Sequence, residues 1–397
     1  MALTDRESTL VNALDDAQDS MEALLERLVG INSYSTHAAG ANAVADLVEA
    51  ELEALGFRTA VLVSGNAGRS VVARRVCEGS HRLLLLGHGD TVHPPESPFQ
   101  AYTRVDDNRA TGPGAADMKG GLVVMLFALR AMKDAGLLDD RHVTVVMNAD
   151  EEVGSPDSAD LIRGESAESH LCLCYEAGRP RADGSSTFVT SRRGFGRMRF
   201  LASGRAAHAG VDPGAGASAV LELCHKAIAL NELADPEAGV LVNVGVLRGG
   251  TAANTVAASA ELLLDYRFPD EDQQLDLEDR IFNVAAKNIL RDADGRPLVA
   301  TVMRDQVKRG AMIKDEAIGR MSDRLVAWGS DLGLDLVEEA RGGSSDAALA
   351  TEMGCPAVCG LGVVGDQFHT DDEWILRKSL VDRAKLSALT MARFFEL

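Results

Sequence analysis

The sequence is short of cysteine. Six cysteines occur among 397 residues, and no two of them have the Cys-x-x-Cys spacing of a zinc or redox motif. A chain of this length buries a large core without covalent cross-links, so we exclude a disulfide framework and interpret the cysteines as small core residues. This usage is typical of a reducing compartment, and we expect a cytoplasmic location.

Positive charge is also in deficit. The chain carries 40 lysines and arginines against 60 aspartates and glutamates, which gives a formal net charge of −20. Such a charge repels nucleic acids and anionic membrane surfaces at long range, so we expect neither as a partner. Hydrophobic residues make up 46% of the chain and charged residues 25%, a globular composition that excludes disorder of the whole chain.

Long apolar runs are absent from the sequence. The longest, residues 122–129, is too short to span a bilayer. The first residues contain no basic segment followed by an apolar one, so we expect no signal peptide.

Short apolar runs alternate with helical patterns along most of the chain. Runs of the kind found in strands buried on both faces occupy residues 82–86, 142–147, 171–175 and 357–361. Strands that alternate with helices in this way predict an α/β fold, in which a mostly parallel sheet is flanked by helices.

A different pattern begins near residue 186. Residues 186–304 contain a strand, a helix, two strands, a helix and a strand, an order typical of a ferredoxin-like α+β arrangement. We therefore predict a small α+β domain at residues 187–305, inserted into a larger α/β domain formed by residues 1–186 and 306–397.

Residue types that bind metals follow each of the four strand-like runs. They are His88 and Asp90, then Asp150, Glu151 and Glu152, then Glu176, and finally His369 and Glu373. In open parallel sheets, sites lie at the carboxyl ends of the strands. Asp117, in a glycine-rich segment before a helical pattern, is a further candidate. Alone, Asp117 would suit a helix N-cap and Asp90 a turn, but such roles leave the convergence unexplained.

This set of donors suits a pair of divalent metal ions. Neutral imidazoles and carboxylates favour zinc, with cobalt or manganese as substitutes. Two divalent ions, a bridging hydroxide and the carboxylates of Asp117, Glu152 and Glu176 together sum to zero charge. Asp90 can accept the second N–H of His88 and fix its tautomer. Glu151 is left beside a ligand, where a general base is needed.

The chain resembles the di-zinc metallopeptidases that include glutamate carboxypeptidase, aminoacylase, acetylornithine deacetylase and succinyl-diaminopimelate desuccinylase. The matching motifs follow the family's order: His88-Gly-Asp90-Thr-Val, Gly114-Ala-Ala-Asp117-Met-Lys-Gly-Gly, Asp150-Glu151-Glu152-Val-Gly-Ser155, Tyr175-Glu176, His208-Ala-Gly210 and Phe368-His369-Thr-Asp-Asp-Glu373. The chain is most similar to the glutamate carboxypeptidase group, although Ala177 stands where members often carry proline.

The resemblance implies a role for each candidate at the metal centre. In the implied arrangement Asp117 bridges two zinc ions, His88 and Glu176 bind one of them, Glu152 and His369 bind the other, Glu151 is the general base and Asp90 orients His88. The resemblance also implies a cis peptide bond between Asp117 and Met118, and an inserted domain that serves as a lid and forms a homodimer.

Three residues of the inserted domain and its end are candidates for substrate contact. His208 lies in a family motif, and the resemblance implies that it reaches the active site of the partner subunit. Asn254 follows a small-residue segment, and the planar guanidinium of Arg309 suits a substrate carboxylate. The alternative for each is an ordinary loop or surface residue. We interpret the remaining histidines as structural or solvated: His37, His81, His93, His142, His170 and His225.

The implied function is a zinc-dependent exopeptidase that cleaves the amide bond to a C-terminal amino acid. Metal-bound hydroxide would attack the carbonyl, and Glu151 would carry the proton to the leaving amine. The substrate would be a small peptide or an N-acyl amino acid. Two alternatives stay open: an amidohydrolase for N-acyl or N-carbamoyl amino acids, and a metal-binding protein without turnover.

Overall fold

A computed structural model describes residues 3–64, 67–79 and 81–396 and divides them into two compact units. The first unit contains the described chain up to Ser191, Lys314–Arg341 and the chain from Ser345 onward. The second contains Arg192–Ile313 and Gly342–Ser344. The chain therefore changes unit a few residues beyond the predicted positions 186 and 305, because the strand that begins at Ser186 pairs with a strand of the first unit.

The helices of the described chain fall into both units. They are α1 (Asp5–Asn12), α2 (Gln18–Val29), α3 (Ala38–Ala54), α4 (Gly120–Asp134), α5 (Ala159–Ala167), α6 (Ala219–Asn231), α7 (Glu271–Ala286), α8 (Glu316–Asp331), α9 (Ala347–Glu352) and α10 (Ser379–Phe394). A π-helical turn spans Ala115–Lys119, and short 3₁₀ turns span Glu151–Val153 and Pro213–Ala215.

The strands form several sheets. They are β1 (Arg58–Ser64), β2 (Gly68–Arg75), β3 (Arg82–His88), β4 (Thr103–Arg104), β5 (Arg109–Thr111), β6 (His142–Asn148), β7 (Leu171–Cys174), β8 (Ser186–Arg192), β9 (Gly194–Ser203), β10 (Leu241–Gly249), β11 (Ser259–Phe268), β12 (Val299–Arg309), β13 (Leu336–Arg341), β14 (Ala357–Val358), β15 (Gly365–Asp366) and β16 (Trp374–Leu376).

The main sheet of the first unit has the order β1-β2-β6-β3-β7-β14. The pairs β6–β3, β3–β7 and β7–β14 are parallel, whereas β1–β2 and β2–β6 are antiparallel. The predicted α/β fold is therefore confirmed. The predicted strand at residues 357–361 is too long, because Gly360 has a positive φ of 75° and turns the chain out of the sheet.

Helix α4 packs closely on this sheet because its first residues are glycine. A Cβ atom on Gly121 would overlap the carbonyl oxygen of Tyr175, the residue that follows β7. The rest of α4 is almost entirely buried, and its side chains join the strands in one large apolar core. The first turn of α4 therefore lies close to Tyr175, the residue directly before the candidate ligand Glu176.

The second unit has its own core and a four-stranded antiparallel sheet. The sheet order is β10-β11-β9-β12, and the chain order is β9, α6, β10, β11, α7 and β12, as the sequence predicts. Glu222 and Lys226 form an ion pair of 3.2 Å inside this unit, and neither side chain is exposed. Lys226 donates to three carbonyls at the end of α7, and Glu222 accepts backbone N–H groups of Ile289 and Leu290.

The structure bears on two predictions, the role of the cysteines and the lack of a membrane-spanning segment. All six cysteines are free thiols, and four of them are buried, so the interpretation as core residues holds for those four. In the part of the chain that the structure describes, no helix is both long and apolar enough to span a membrane.

Candidate metal centre

The candidate ligands of the first unit lie where its parallel strands end. His88 is the last residue of β3, Glu176 follows β7 by two positions, and Glu151 and Glu152 begin the turn after β6. Because these three strands are neighbours and run in the same direction, their carboxyl ends place these side chains at one edge of the sheet.

Asp117 reaches the same edge from an irregular turn. Gly114 has a φ of 70°, which lets the chain enter the π-helical turn Ala115–Lys119, and Asp117 itself departs from helical geometry. The peptide bond between Asp117 and Met118 is cis, so that prediction is confirmed.

The carboxylate of Asp117 lies between two histidines. Its Oδ1 is 3.2 Å from Nε2 of His88, and its Oδ2 is 3.3 Å from Nε2 of His369. His88 Nε2 is also 3.7 Å from Glu176 Oε1, and His369 Nε2 is 3.2 Å from Glu152 Oε2. The structure thus brings the five proposed ligands together, grouped in the same two pairs on either side of Asp117 that the resemblance implies.

The close approach of these groups shifts their pKa values. Burial acts to raise the pKa of Asp117, but hydrogen bonds from His369 and His88 outweigh burial and hold that pKa well below its usual range. Hydrogen bonds to Asp117 and Glu152 raise the pKa of His369 to about 11. Burial, reinforced by the charge of Asp117, raises the pKa of Glu152 to about 8.

The residues present fit a divalent metal ion. Oε1 of Glu152 is buried and has no hydrogen-bond partner among the described residues, as expected of an oxygen that serves as a metal ligand. One atom each from His88, Asp117 and Glu152 lies within 4.8 Å of the others. Imidazole nitrogens and carboxylate oxygens at this spacing suit zinc, cobalt or manganese.

Asp90 connects two of the strand ends. Nδ1 of His88 lies 3.1 Å from the backbone oxygen of Asp90 and 3.3 Å from its Oδ1. The two carboxylate oxygens of Asp90 also accept the backbone N–H groups of Glu151 and Glu152, at 3.2 and 3.1 Å. Ser35 donates to Oδ2 at 2.7 Å. Asp90 is placed to orient the imidazole, and it also holds the turn that carries Glu151.

Two further acids hold the same turn: Asp150, which the sequence places among the metal-binding residue types at the strand ends, and Asp346. Asp150 accepts the hydroxyl of Ser158 at 2.5 Å and the backbone N–H of Asp157 at 2.8 Å. Asp346 accepts the hydroxyl of Ser155 at 2.6 Å and the side-chain amide of Asn148 at 2.7 Å. The sequence signal was present, because Asp150 directly precedes Glu151, but the contact with Asp346 joins distant parts of the chain.

The substrate candidates all belong to the second unit. His208 is exposed in a loop, where its Nδ1 accepts the N–H of Gly210 at 3.1 Å. The backbone N–H of Ala209 donates to the carbonyl oxygen of Asn254 at 2.9 Å, so the loops that carry His208 and Asn254 lie side by side. Arg309, at the end of β12, is only 3% exposed and lies 5.9 Å from the ring of Phe195. Their contact with substrate stays a prediction.

A mixed α/β sheet that gathers these acids and histidines at the ends of its parallel strands defines a candidate metallohydrolase. A model of the peptidase family M20/M25/M40 matches residues 84–393. The chain is 32% identical to carboxypeptidase G2 of Pseudomonas sp. (strain RS-16) over 374 residues, which cover 92% of this chain and 87% of that one. It is 29% identical to a succinyl-diaminopimelate desuccinylase of Novosphingobium aromaticivorans over 388 residues, 90% and 94% of the two chains.

A solved structure shares the fold. An M20 family metallo-carboxypeptidase of Sulfolobus solfataricus superposes with a TM-score of 0.76 at 16% identity, over 96% of this chain and 100% of that one. The chain belongs to the M20/M25/M40 peptidase family, which confirms the predicted resemblance. It is accordingly a metal-dependent hydrolase that acts on amide bonds.

Proposed function

We propose that the chain is a di-zinc exopeptidase of the glutamate carboxypeptidase type, which releases a C-terminal amino acid. The observation that carries this proposal is the position of Asp117, whose two oxygens each face a histidine paired with a second carboxylate. This symmetry supports two metal positions joined by one carboxylate. The identity to carboxypeptidase G2 supports the carboxypeptidase reaction.

The candidate ligands of the first unit would bind two metal ions. His88 and Glu176 would hold one ion, His369 and Glu152 the other, and Asp117 would contact both. Bound divalent ions supply a polarised amide carbonyl and a water molecule of lowered pKa. Glu152 and Glu176 each face an imidazole, which supports their role as ligands in this scheme.

Glu151 would act as the general base and then as the general acid. It accepts a proton from the attacking water and delivers that proton to the leaving nitrogen, so the amide bond breaks to a carboxylate and an amine. Its partly exposed position beside Glu152 supports this role, since the base must reach both water and substrate. Asp90 would keep Glu151 in place through its backbone N–H group.

The second unit would bind the substrate and form the homodimer. Leu221 and Ile228 lie seven residues apart on α6 and are 55% and 64% exposed, and Val246 and Leu247 are exposed on the edge strand β10. An exposed apolar helix face next to a strand at the edge of the described sheet suits a second copy of the same chain. The six free thiols support a reducing compartment, such as the cytoplasm.

A second candidate is hydrolysis of an N-acyl amino acid. The match to a succinyl-diaminopimelate desuccinylase along nearly the whole chain favours it. This reaction uses the same groups and differs in the acyl side of the amide bond, which is a simple acyl group instead of an acylated amino acid.

A substrate panel with metal-loaded protein separates these functions. We expect turnover of N-acyl dipeptides that end in glutamate, and a large loss when the terminal carboxylate is replaced by an amide. Faster turnover of N-acetyl or N-succinyl amino acids would favour the second candidate. No turnover across the panel, with metal bound, would contradict both and favour a binding protein.

A further inference from the structure

Glu373 is a buried carboxylate for which the proposed mechanism has no use. Its side chain is 1% exposed, and it follows His369 by four positions. An ionised carboxylate is costly to bury unless hydrogen bonds satisfy its oxygens. The partners of Glu373 therefore show what the residue does.

The two oxygens of Glu373 accept hydrogen bonds from the turn that carries Asp117. Oε1 accepts the backbone N–H groups of Ala116 and Asp117 at 2.7 and 3.0 Å, and Oε2 accepts that of Gly114 at 3.1 Å. Nε2 of His93 lies 3.1 Å from Oε2 and must carry a proton, because an ionised carboxylate can only accept. His93 is thus a buried partner of Glu373 and is 4% exposed.

The backbone of Glu373 is itself fixed on both sides. Its N–H group donates to the carbonyl oxygen of Thr370, the residue after His369, at 3.2 Å. The next residue, Trp374, begins β16 and pairs with Thr111 of β5. One side chain therefore spans the loop of His369 and the turn of Asp117, and strand pairing holds both near it.

We propose that Glu373, supported by His93, is a positioning residue that sets the distance between Asp117 and His369. The inference rests on the proposed function, in which these two residues contact the same metal ion. A rigid carboxylate bridge fixes the ligands before the ion arrives, and such supporting contacts raise metal affinity.

The chemistry of the bridge requires a carboxylate. Three backbone N–H groups and one imidazole converge on two oxygens, which only an acceptor-only group can satisfy. Glutamine would keep one acceptor and turn its NH₂ group toward other donors. Aspartate would keep the charge but, being one methylene shorter, could not reach every donor.

Cobalt binding tests the proposal without relying on turnover. The variants are Glu373→Gln, Glu373→Asp and the control Glu222→Gln, whose carboxylate is equally buried and also accepts backbone N–H groups, but inside the second unit. The measurements are cobalt affinity by equilibrium dialysis, the visible absorption spectrum of bound cobalt, and the melting temperature of the metal-free protein.

We expect Glu373→Gln to bind cobalt about 10- to 100-fold more weakly, the range typical for lost supporting contacts, with a changed spectrum. Glu373→Asp should show a smaller change in both. Glu222→Gln should lower the melting temperature and leave affinity and spectrum as in the wild type, because it touches no ligand. A role in folding alone predicts that Glu373→Gln resembles this control.

Unchanged cobalt affinity and spectrum in folded Glu373→Gln would overturn the proposal. If that variant does not fold, the same result in Glu373→Asp would overturn it. Wild-type protein that binds cobalt but hydrolyses no amide would contradict the proposed function and leave the positioning role standing. Wild-type protein that binds no cobalt would contradict both.

Discussion

At the residue scale, five acids around the candidate metal centre divide into two groups. Asp117, Glu152 and Glu176 direct oxygens toward histidines at the centre, whereas Asp90 and Glu373 direct theirs largely toward backbone N–H groups. The first group gains from a cation, because its members repel one another. The oxygens of the second group already accept hydrogen bonds from the backbone. These residues therefore hold the backbone segments that carry the first group.

A substitution of Glu151 distinguishes a role in metal binding from a role in catalysis. We predict that Glu151→Gln lowers kcat by about 10²- to 10⁴-fold, because an amide cannot accept the proton. Metal content and melting temperature should stay close to those of the wild type. The assay is the rate of amide hydrolysis at saturating substrate, with metal measured on the same sample.

A matched control for this variant is Glu168→Gln, in an exposed residue whose side chain is 73% accessible. It should leave the rate unchanged. Near-normal kcat in Glu151→Gln would remove Glu151 as the base and leave the metal centre without an assigned proton carrier.

The metal stoichiometry depends on single residues as well. We predict two equivalents of zinc per chain, since Asp117 separates two histidine–carboxylate pairs. Glu176→Ala should lower the stoichiometry toward one, because it removes a ligand of only one position. Elemental analysis of dialysed, metal-loaded protein measures this. Saturation at one equivalent in both proteins would refute the two-metal centre.

At the element scale, the sequence predicts what depends on local pattern. The apolar runs of β3, β6 and β7 identify buried strands, because a strand covered on both faces must be apolar throughout. The candidates at their ends follow from the geometry of a parallel sheet. The contact between His93 and Glu373 could not be predicted, since it joins residues 280 positions apart and no local pattern connects them.

The close contact between α4 and the end of β7 can be tested by adding a side chain at Gly121. We predict that Gly121→Ala destabilises the protein by about 1–3 kcal/mol, the usual cost of overpacking, because the added Cβ meets the carbonyl of Tyr175. Displacing Tyr175 also displaces Glu176, so metal affinity should fall. Urea denaturation and metal dialysis measure the two effects.

The control is Gly164→Ala in α5, where nothing lies within 4 Å of the added atom. This change should stabilise the protein by about 0.5–1 kcal/mol, because alanine loses less backbone entropy in a helix. Equal stability of the two variants would contradict this prediction. It would show that the backbone between α4 and Tyr175 accommodates the added Cβ of Gly121→Ala without loss of stability.

At the scale of the whole molecule, each unit has its own apolar core. The proposed metal ligands all belong to the first unit, and the substrate candidates to the second. The family could be predicted because its motifs are short and spread along the chain. The substrate could not, because the candidate substrate contacts include side chains such as Arg309, whose burial no local pattern indicates.

The proposed homodimer gives the last prediction. Replacing Leu221 and Ile228 together by aspartate places two charges on the exposed face of α6, where they would be buried against the second copy without partners. We expect the variant to sediment as a monomer at concentrations where the wild type is a dimer.

Leu275→Asp is the control, since Leu275 is 56% exposed on α7, the other helix of the same sheet, and should leave the dimer intact. If His208 acts in the partner's site, as the resemblance implies, the monomer will also lose most of its turnover. A double variant that still sediments as a dimer would place the interface elsewhere.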